Sequence, residues 1–563
     1  MKIVTVEQMR EIERQTDEAG TSYEQMMEAA GLGVGQVVTD LIDVDGLSIV
    51  ILVGPGNNGG DGLVAGRHLA QAGARVTFVL YKARNQEDHN LLQVQEMNLP
   101  ILLADNDGDG SQLRGLVLDA DVVVDALLGT GIALPLRGRL GSLLRDVGEA
   151  LEVCRQQRRE RQQMLRGPVS PKELAWDGDQ LPLVVAVDCP SGLDCDSGAL
   201  DPAALPADLT VTFAAPKVGQ VSFPGAAAVG ELFVVDIGCP SDLPAMQQIP
   251  LDMATAAHVR ALLPSRPLNA HKGTFGKVMI AAGSVNYVGA AALAAEAAYR
   301  AGAGVVTLAV PAAIHAPLAA QLTEPTYVLL PQSMGAINEH AVDLLLESLN
   351  GYDALLIGPG IGRDEKTRLF LERLSTRRRT ASKGPIGFIR EAGGKQVSEG
   401  SPLPPMVVDA DALNLLSEIK DWTRCLPPNC ILTPHPGEMS RLTGREIDDI
   451  QADRIAVAQQ AALEWKQIVL LKGAFTVVAS PDGETTVIPF ANPALATAGT
   501  GDVLAGILVS LLGQGLAPYP AAVAGAFLHG AAGEMAGHEL GRAGTTAGDL
   551  LPYIAAVLDL WQL

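Results

Sequence analysis

Ala496-Thr-Ala-Gly-Thr-Gly-Asp502, running on into Val503-Leu-Ala-Gly-Ile-Leu-Val-Ser510, decides how this 563-residue chain is read. Its small residues and glycines let the backbone turn tightly and approach a ligand closely. The apolar residues that follow have helical spacing, so the loop should open a helix and aim bare N–H groups at an anion. Asp502 falls where that helix begins. A carboxylate there can be an N-terminal cap and nothing more. Its company along the chain argues for chemistry.

Working back from that loop, the same pattern recurs. Strands are predicted over 277–282, 304–310, 354–357, 406–408, 431–432 and 468–471. Five strand ends are rich in glycine or small polar residues: Ala281-Ala-Gly-Ser284, Ile357-Gly-Pro-Gly-Ile-Gly362, Asp409-Ala-Asp-Ala-Leu-Asn414, Thr433-Pro-His-Pro-Gly-Glu438 and Lys472-Gly-Ala-Phe-Thr476. Gly289-Ala290 should start a helix after the first of them. Loops at the carboxyl ends of strands in an open α/β sheet gather at one edge, where ligands bind. Lys472, after a buried strand and before Gly473, is better placed to meet a phosphate than an ordinary surface lysine. His435 is held between two prolines, either as a structural residue or as a contact to a polar ring or phosphate.

The bulk numbers bound the answer. The length calls for two or more domains. Hydrophobic content of 48% with 19% charged residues describes a buried globular enzyme and excludes a disordered chain. A net charge of −23 repels nucleic acid, so no nucleic-acid partner is expected. The start, Met1-Lys-Ile-Val-Thr-Val-Glu-Gln-Met-Arg10, has no signal-peptide pattern, and no apolar run is long enough for a membrane span. Six scattered cysteines fit a reducing cytoplasm, with Cys189, Cys195 and Cys239 read as buried small residues.

The first half also alternates. Helices are predicted over 5–38, then strands at 47–53, 75–81, 121–126 and 183–187, with a helix at 62–72. That rhythm implies a parallel sheet covered by helices on both faces. Residues 237–252 hold three prolines and no period, which places domains at 1–240 and 253–563. Two segments read as insertions: 152–180, opening with the basic run Arg155-Gln-Gln-Arg-Arg-Glu-Arg161, and the glycine-rich 376–405. Solvated surface is the better reading of both in so acidic a chain.

Gly54-Pro-Gly-Asn-Asn-Gly-Gly-Asp-Gly62 follows the first strand and formally matches a dinucleotide fingerprint. The next strand ends Val79-Leu-Tyr-Lys82 without the acid that would hold a ribose, so NAD-dependent hydride transfer is not favoured. Two further strands run into Asp125 and Asp188 at the same edge. Either could be a turn cap by itself. Three polar strand-end loops in one domain are harder to dismiss.

Asn57-Asn-Gly-Gly-Asp61, Asp125 with Gly129-Thr-Gly131, and Val187-Asp-Cys-Pro-Ser-Gly-Leu-Asp194 together resemble the NAD(P)H-hydrate epimerase domain, over about residues 10–240. The resemblance implies a Rossmann-like parallel-sheet domain that interconverts R and S hydrates of the nicotinamide ring. It implies a potassium ion on Asn58, Asp125 and Ser191, all hard oxygen donors. It places the hydrated nucleotide against Asn57, Asn58, Gly59, Gly60, Asp61, Gly62, Gly129, Thr130, Gly131, Ile132, Ala133, Leu134, Pro135 and Asp188. Epimerisation at a carbon bearing OH and a ring nitrogen needs proton transfer around a reversible opening, and Asp188 is the candidate carboxylate.

The second half, about 253–560, is similar to the ribokinase-like superfamily and more closely to the ADP-dependent NAD(P)H-hydrate dehydratase domain. The matching residues are His271-Lys272-Gly273, Gly283-Ser284, Gly358-Pro-Gly-Ile-Gly362, Asp409-Ala-Asp-Ala-Leu-Asn414, His435-Pro-Gly-Glu438 and Asn492-Pro-Ala-Leu-Ala-Thr-Ala-Gly-Thr-Gly-Asp502. The family commonly has glycine where this chain has Ala491 and Ala494. By that resemblance Ala290, Gly362, His435 and Asp502 would contact the S hydrate, and Lys472, Gly473, Ala474, Phe475, Thr476 and Gly501 the adenine nucleotide. Magnesium is expected with ADP, and Asp502 would be the base.

The implied whole is a cytoplasmic repair enzyme acting on NADHX and NADPHX with ADP, with no membrane partner and as a homo-oligomer. Two other readings stand beside it. A small-alcohol kinase would share the Gly-Thr-Gly-Asp loop, and a scaffold or RNA-binding module would not need Asp125 and Asp188.

Overall fold

The computed structural model describes residues 1–165, 182–376, 403–424 and 426–562. The chain divides into two units, Met1–Pro250 and Leu251–Leu563.

The first unit opens with helices Val6–Glu18 and Tyr23–Leu41, each started by a reciprocal capping box, Thr5 with Gln8 and Ser22 with Gln25. Seven strands follow: β1 (Ser48–Val53), β2 (Arg75–Leu80), β3 (Ile101–Leu103), β4 (Val122–Ala126), β5 (Leu183–Val187), β6 (Leu209–Phe213) and β7 (Glu231–Val235). They lie in the order β3-β2-β1-β4-β5-β6-β7, every pair parallel. β4, apolar but for Asp125, and the wholly apolar β5 are buried along their whole length, as sheets covered on both faces require. Strand order reverses between β1 and β4. The connections that follow those two strands cross to opposite faces of the sheet, which opens a crevice at their carboxyl ends.

Three expectations change here. The helix after β1 starts at Asn57, not Gly62, and spans Asn57–Gln71. Its glycines, which made the run look like a loop, bring it onto the sheet: a Cβ at Gly62 would stand 2.4 Å from the Ala126 Cβ, and one at Gly66 2.4 Å from the Phe78 ring. The supposed insertion at 152–180 begins as the second half of one continuous helix, Arg139–Leu165. Arg155, first of its basic run, donates to Asp208 at 2.6 Å and so belongs to the fold; residues 166–181 lie outside the described ones. Cys189 and Cys195 are buried, but their sulfurs meet rather than packing separately, and Cys239 is half-buried.

The second unit contains β8 (Leu251–Met253), β9 (Lys277–Ala281), β10 (Val305–Pro311), β11 (Thr326–Leu330), the small ladder β12 (Gln332–Ser333) and β13 (Ala336–Ile337), then β14 (Ala354–Ile357), β15 (Met406–Val408), β16 (Ile431–Leu432), β17 (Ile468–Leu471), β18 (Val477–Ala479) and β19 (Thr485–Val487). The large sheet runs β11-β10-β9-β14-β15-β16-β17-β18-β19-β8. It is parallel from β11 to β17, and β18 and β19 add an antiparallel hairpin. β8 pairs with β19 from inside the proline-bearing stretch that read as a boundary. Successive residues of β9 serve opposite cores, Val278 and Ile280 packing with Ile507 and Leu508, and Met279 and Ala281 with Phe370 and Leu413. The helix predicted after Gly499 spans Thr500–Gly513 and is buried from Val503 to its end. Strand order here reverses between β9 and β14. Most of the 376–405 segment (377–402) lies outside the described residues, and among those described no helix is long and apolar enough to cross a membrane.

Candidate functional sites

In the first unit, the loops after β1, β4 and β5 converge at the crevice. Gly54 donates to the Ala126 carbonyl at 3.0 Å, and a Cβ there would strike the Leu127 carbonyl oxygen at 1.8 Å, so the two loops fit only with glycine. Gly56 caps the following helix. Arg84 braces this turn, donating to the carbonyls of Gly54 at 2.5 Å and Gly56 at 3.1 Å.

Asp125, Asn58 and Ser191 come together. Asp125 is fully buried. Its carboxylate accepts from the Ser191 hydroxyl at 2.7 Å, the Ser191 N–H at 2.8 Å and the Leu127 N–H at 3.2 Å. Burial raises its pKa against the pull of those bonds. Ser191 Oγ also accepts from Leu128 N–H at 3.0 Å. Asn58 donates its amide to the Leu128 carbonyl at 2.9 Å, while its Oδ1 is buried with no partner among the described residues. That orphaned oxygen, beside a serine hydroxyl and a carboxylate, has the chemistry of a hard-cation ligand. Gly129 lies against the same asparagine, a Cβ there falling 3.3 Å from the Asn58 Cβ. Thr130, Gly131, Ile132, Ala133, Leu134 and Pro135 continue as an irregular, largely accessible loop, and Asn57 is exposed.

Asp188 stands just beyond β5 with a left-handed φ of 63°. Its Oδ1 accepts from Lys217 Nζ at 2.5 Å and Thr212 Oγ1 at 3.0 Å. Asp61, on the first turns of its helix, is buried nearby. Burial, with the charges of Asp188 and Glu13 adding to it, holds its carboxyl well above the carboxylate range. Glu13 is raised too, by burial first and then by Asp188. Lys217 and Glu13 escaped the sequence reading. Lys217 lies four residues past the end of β6, where no strand was predicted, so nothing marked it as its place directly after an apolar run marked Lys472.

In the second unit the loops after β9, β14, β15, β16 and β17 share one edge. A Cβ at Gly358 would meet the Asp409 carbonyl oxygen at 1.9 Å, and one at Gly360 would meet the Ala290 Cβ at 2.9 Å. Gly362, at φ 84°, donates its N–H to Asp411 at 3.0 Å. Asp409 is 1% exposed; its Oδ1 accepts from Thr433 Oγ1 at 2.6 Å and Lys472 Nζ at 2.7 Å, and its Oδ2 has no partner among the described residues. Lys472 also lies 3.7 Å from Glu438. Burial works against its charge, but Asp409 and Glu438 win and raise its pKa. Past Lys472, Gly473 is held at φ 145° against the Arg454 guanidinium, and Thr476 Oγ1 donates to its carbonyl at 2.8 Å; Ala474 and Phe475 complete this accessible loop.

Asp502 is the third residue of its helix. Gly499, at φ 95°, occupies the cap without side-chain help, so Asp502 is not the cap. A Cβ at Gly501 would stand 3.5 Å from Lys472 Nζ. Burial, then the charge of Asp409, pushes the Asp502 carboxyl up to about 7, and burial does the same to Glu438. His435 is a cap: its Nδ1 accepts from the N–H groups of Gly437 at 3.0 Å and Glu438 at 3.4 Å, and its ring is half exposed. Burial and Lys472 lower its pKa, which favours the neutral ring. His529, behind the start of the Asp502 helix, went unread; burial takes its pKa to about 4. Among the described residues no trio of His, Cys, Asp or Glu forms a metal cage.

The chain matches two family models, one described as YjeF-related protein N-terminus over residues 23–219 and one as NAD(P)H-hydrate dehydratase over residues 278–556. It is 39% identical to the bifunctional NAD(P)H-hydrate repair enzyme Nnr of Moorella thermoacetica, over 99% of this chain and 97% of that protein. It is 34% identical to the enzyme of the same name from Thermofilum pendens, over 99% and 96%. Among solved structures, an ADP/ATP-dependent NAD(P)H-hydrate dehydratase from Bacillus subtilis, co-crystallised with ATP and magnesium, is 28% identical, with a TM-score of 0.44; the match covers 55% of this chain and 98% of that one.

Proposed function

This chain belongs to the family of bifunctional NAD(P)H-hydrate repair enzymes, with an epimerase and a dehydratase domain, and we propose that Asp188 and Asp502 are the groups that move protons in the two. In the first unit Asp188 takes and returns a proton as the hydrated ring opens and recloses, which interconverts the R and S forms. The nucleotide lies against Asn57, Asn58, Gly59, Gly60, Asp61, Gly62 and the loop from Gly129 to Pro135. Asn58, Asp125 and Ser191 would hold potassium, and the partnerless Asn58 Oδ1 supports that fit. Bound there, the ion would supply fixed positive charge beside the nucleotide.

In the second unit the S hydrate meets Ala290, Gly362, His435 and Asp502, and ADP meets the loop from Lys472 to Thr476 and Gly501. Hydroxide leaves poorly, so the ring hydroxyl is first phosphorylated. Asp502 accepts the hydroxyl proton, the oxygen takes the terminal phosphoryl of ADP, and AMP departs. The ring-nitrogen lone pair then expels inorganic phosphate to leave an iminium, and the departing phosphate takes a proton from the neighbouring ring carbon, which restores the dihydronicotinamide. Lys472 and the N–H group of Gly501, in the first turn of the helix, face charge developing on the transferring group. Magnesium would arrive with the phosphates, its ligands mostly phosphate and water, and Asp409 Oδ2, without a hydrogen-bond partner among the described residues, is a carboxylate oxygen that could meet it. The reading puts the enzyme in the cytoplasm with the coenzymes it repairs.

The observation that carries this reading is Asp502, uncapped on its helix, beside Lys472 and poised near neutrality. The test supplies S hydrate with ADP and follows phosphorus by NMR and the reduced ring by absorbance. AMP and phosphate should appear in step with restored dihydronicotinamide. A stable phosphorylated alcohol without restored absorbance would make the second unit a kinase.

A further inference from the structure

A lysine is rarely taken fully out of water unless the fold needs its charge in one place. Lys217 is 1% exposed. Its ammonium donates to Asp188 Oδ1 at 2.5 Å, Thr212 Oγ1 at 2.8 Å and the Phe213 carbonyl at 3.3 Å, which engages all three protons. The turn that carries it grips Asp188 a second time. Residues Val218–Val221 form a single 3₁₀ turn, from which Gln220 Nε2 donates to the Asp188 carbonyl at 2.7 Å. Gln220 Oε1 meanwhile accepts from the Lys217 backbone N–H at 2.8 Å. The turn is anchored to the start of the chain, since Val4 donates to the Pro216 carbonyl at 2.9 Å and accepts from Val218 at 3.1 Å.

What is gripped is a strained residue. Asp188 holds φ 63°, a conformation that side chains other than glycine keep only where their surroundings impose it. Its two carboxylate oxygens are also unlike. Lys217 and Thr212 both bond Oδ1, and among the described residues no hydrogen bond reaches Oδ2. One oxygen is fixed and the other is left for chemistry. Two further carboxyls, Asp61 and Glu13, share this electrostatic neighbourhood. Other cations do not take the place of Lys217: Arg84 is committed to Asp88 and to the Gly54 and Gly56 carbonyls, and Arg10 is exposed.

We propose that Lys217 is the positioning residue of the epimerase site, locking Asp188 by one oxygen so that the other meets the reacting ring in a fixed orientation. The inference rests on the reading of Asp188 as the proton-transferring group. A positioning role predicts damage to turnover rather than to binding, because a displaced proton acceptor is felt in the transition state.

The test feeds purified R hydrate to the full-length enzyme without nucleotide and follows the approach to the R/S mixture by chromatography. Lys217→Met should lower kcat by about 100-fold or more with KM held within about threefold, and Lys217→Arg should recover about tenfold of that loss. Lys217→Gln keeps an N–H for Asp188 and decides the matter if the methionine variant does not fold; its kcat should fall about tenfold with KM held. Full kcat in Lys217→Met or Lys217→Gln, or a loss expressed as raised KM at unchanged kcat, overturns the proposal. Asp188→Asn, assayed beside them, separates the two ideas. An active Asp188→Asn enzyme refutes the reading of Asp188, whereas an inactive one beside a fully active Lys217→Met refutes only the role of Lys217.

Discussion

Lys472 and Asp409 meet at 2.7 Å although they leave strands that do not touch, β17 and β15, with β16 between them. Thr433, from the end of that middle strand, bonds the same Asp409 oxygen. Three strand ends are thus tied together at the start of the loop from Lys472 to Thr476. Removing one partner of a buried pair leaves the other charge uncompensated. Lys472→Met should therefore cost about 3–5 kcal/mol of stability in urea unfolding and lose ADP-driven dehydration. Lys472→Met combined with Asp409→Asn should recover much of the stability and none of the turnover.

The pH dependence follows from Asp502. Its carboxyl is pushed up to about 7, first by burial and then by Asp409, and in its proposed role as base it works only when ionised. Dehydration measured between pH 5 and 9 should fall as pH drops below about 7. Asp409→Asn removes the negative neighbour and should move that limb to lower pH. Stability carries the opposite sign. The folded-state value lies above the ordinary 3.8, so ionising Asp502 weighs against the native state as pH rises from about 4 to about 7. Asp502→Asn should abolish dehydration yet stabilise the second unit above pH 7, by up to about 4 kcal/mol, and leave it unchanged below pH 4, read from thermal midpoints.

Potassium should act on one unit alone. Exchanging it for lithium, or making Asn58→Ala, should slow epimerisation by about 10-fold or more and leave dehydration of the S hydrate untouched. Thermal unfolding of the wild type should show a stabilisation by potassium that Asn58→Ala lacks. Equal epimerisation rates in both salts would remove the ion from the account.

How much of this was legible in sequence depended on what each residue's surroundings disclose. Strands such as Ala354–Ile357 and Ile468–Leu471 announced themselves as apolar runs closed by glycine or charge. Asn57-Asn-Gly-Gly-Asp61 misled, because composition that reads as a loop is also what a helix needs to lie close on a sheet. Lys217 hid for a related reason. A lysine carries no mark of its burial, and only tertiary contact with Asp188 reveals it. Strands Leu209–Phe213 and Glu231–Val235 had the right alternation or apolarity but no polar strand-end loop to draw notice.

Close backbone approach gives a structural prediction independent of catalysis. Gly54→Ala would drive a methyl to within 1.8 Å of the Leu127 carbonyl oxygen, which backbone cannot easily yield. The variant should destabilise the first unit by about 1–3 kcal/mol or more and weaken epimerisation. Dehydration of the S hydrate by the same protein should persist, as assayed by recovery of the reduced ring.

The most direct test of the division of labour starts from pure R hydrate with ADP and follows recovery of the reduced nicotinamide. Wild type should convert it all. Asp188→Asn should clear R no faster than R epimerises spontaneously, while still converting S hydrate supplied in a parallel run, and Asp502→Asn should equilibrate R with S while restoring no reduced ring. Clearance of R hydrate at the wild-type rate by Asp188→Asn, beyond its spontaneous epimerisation, would contradict the account.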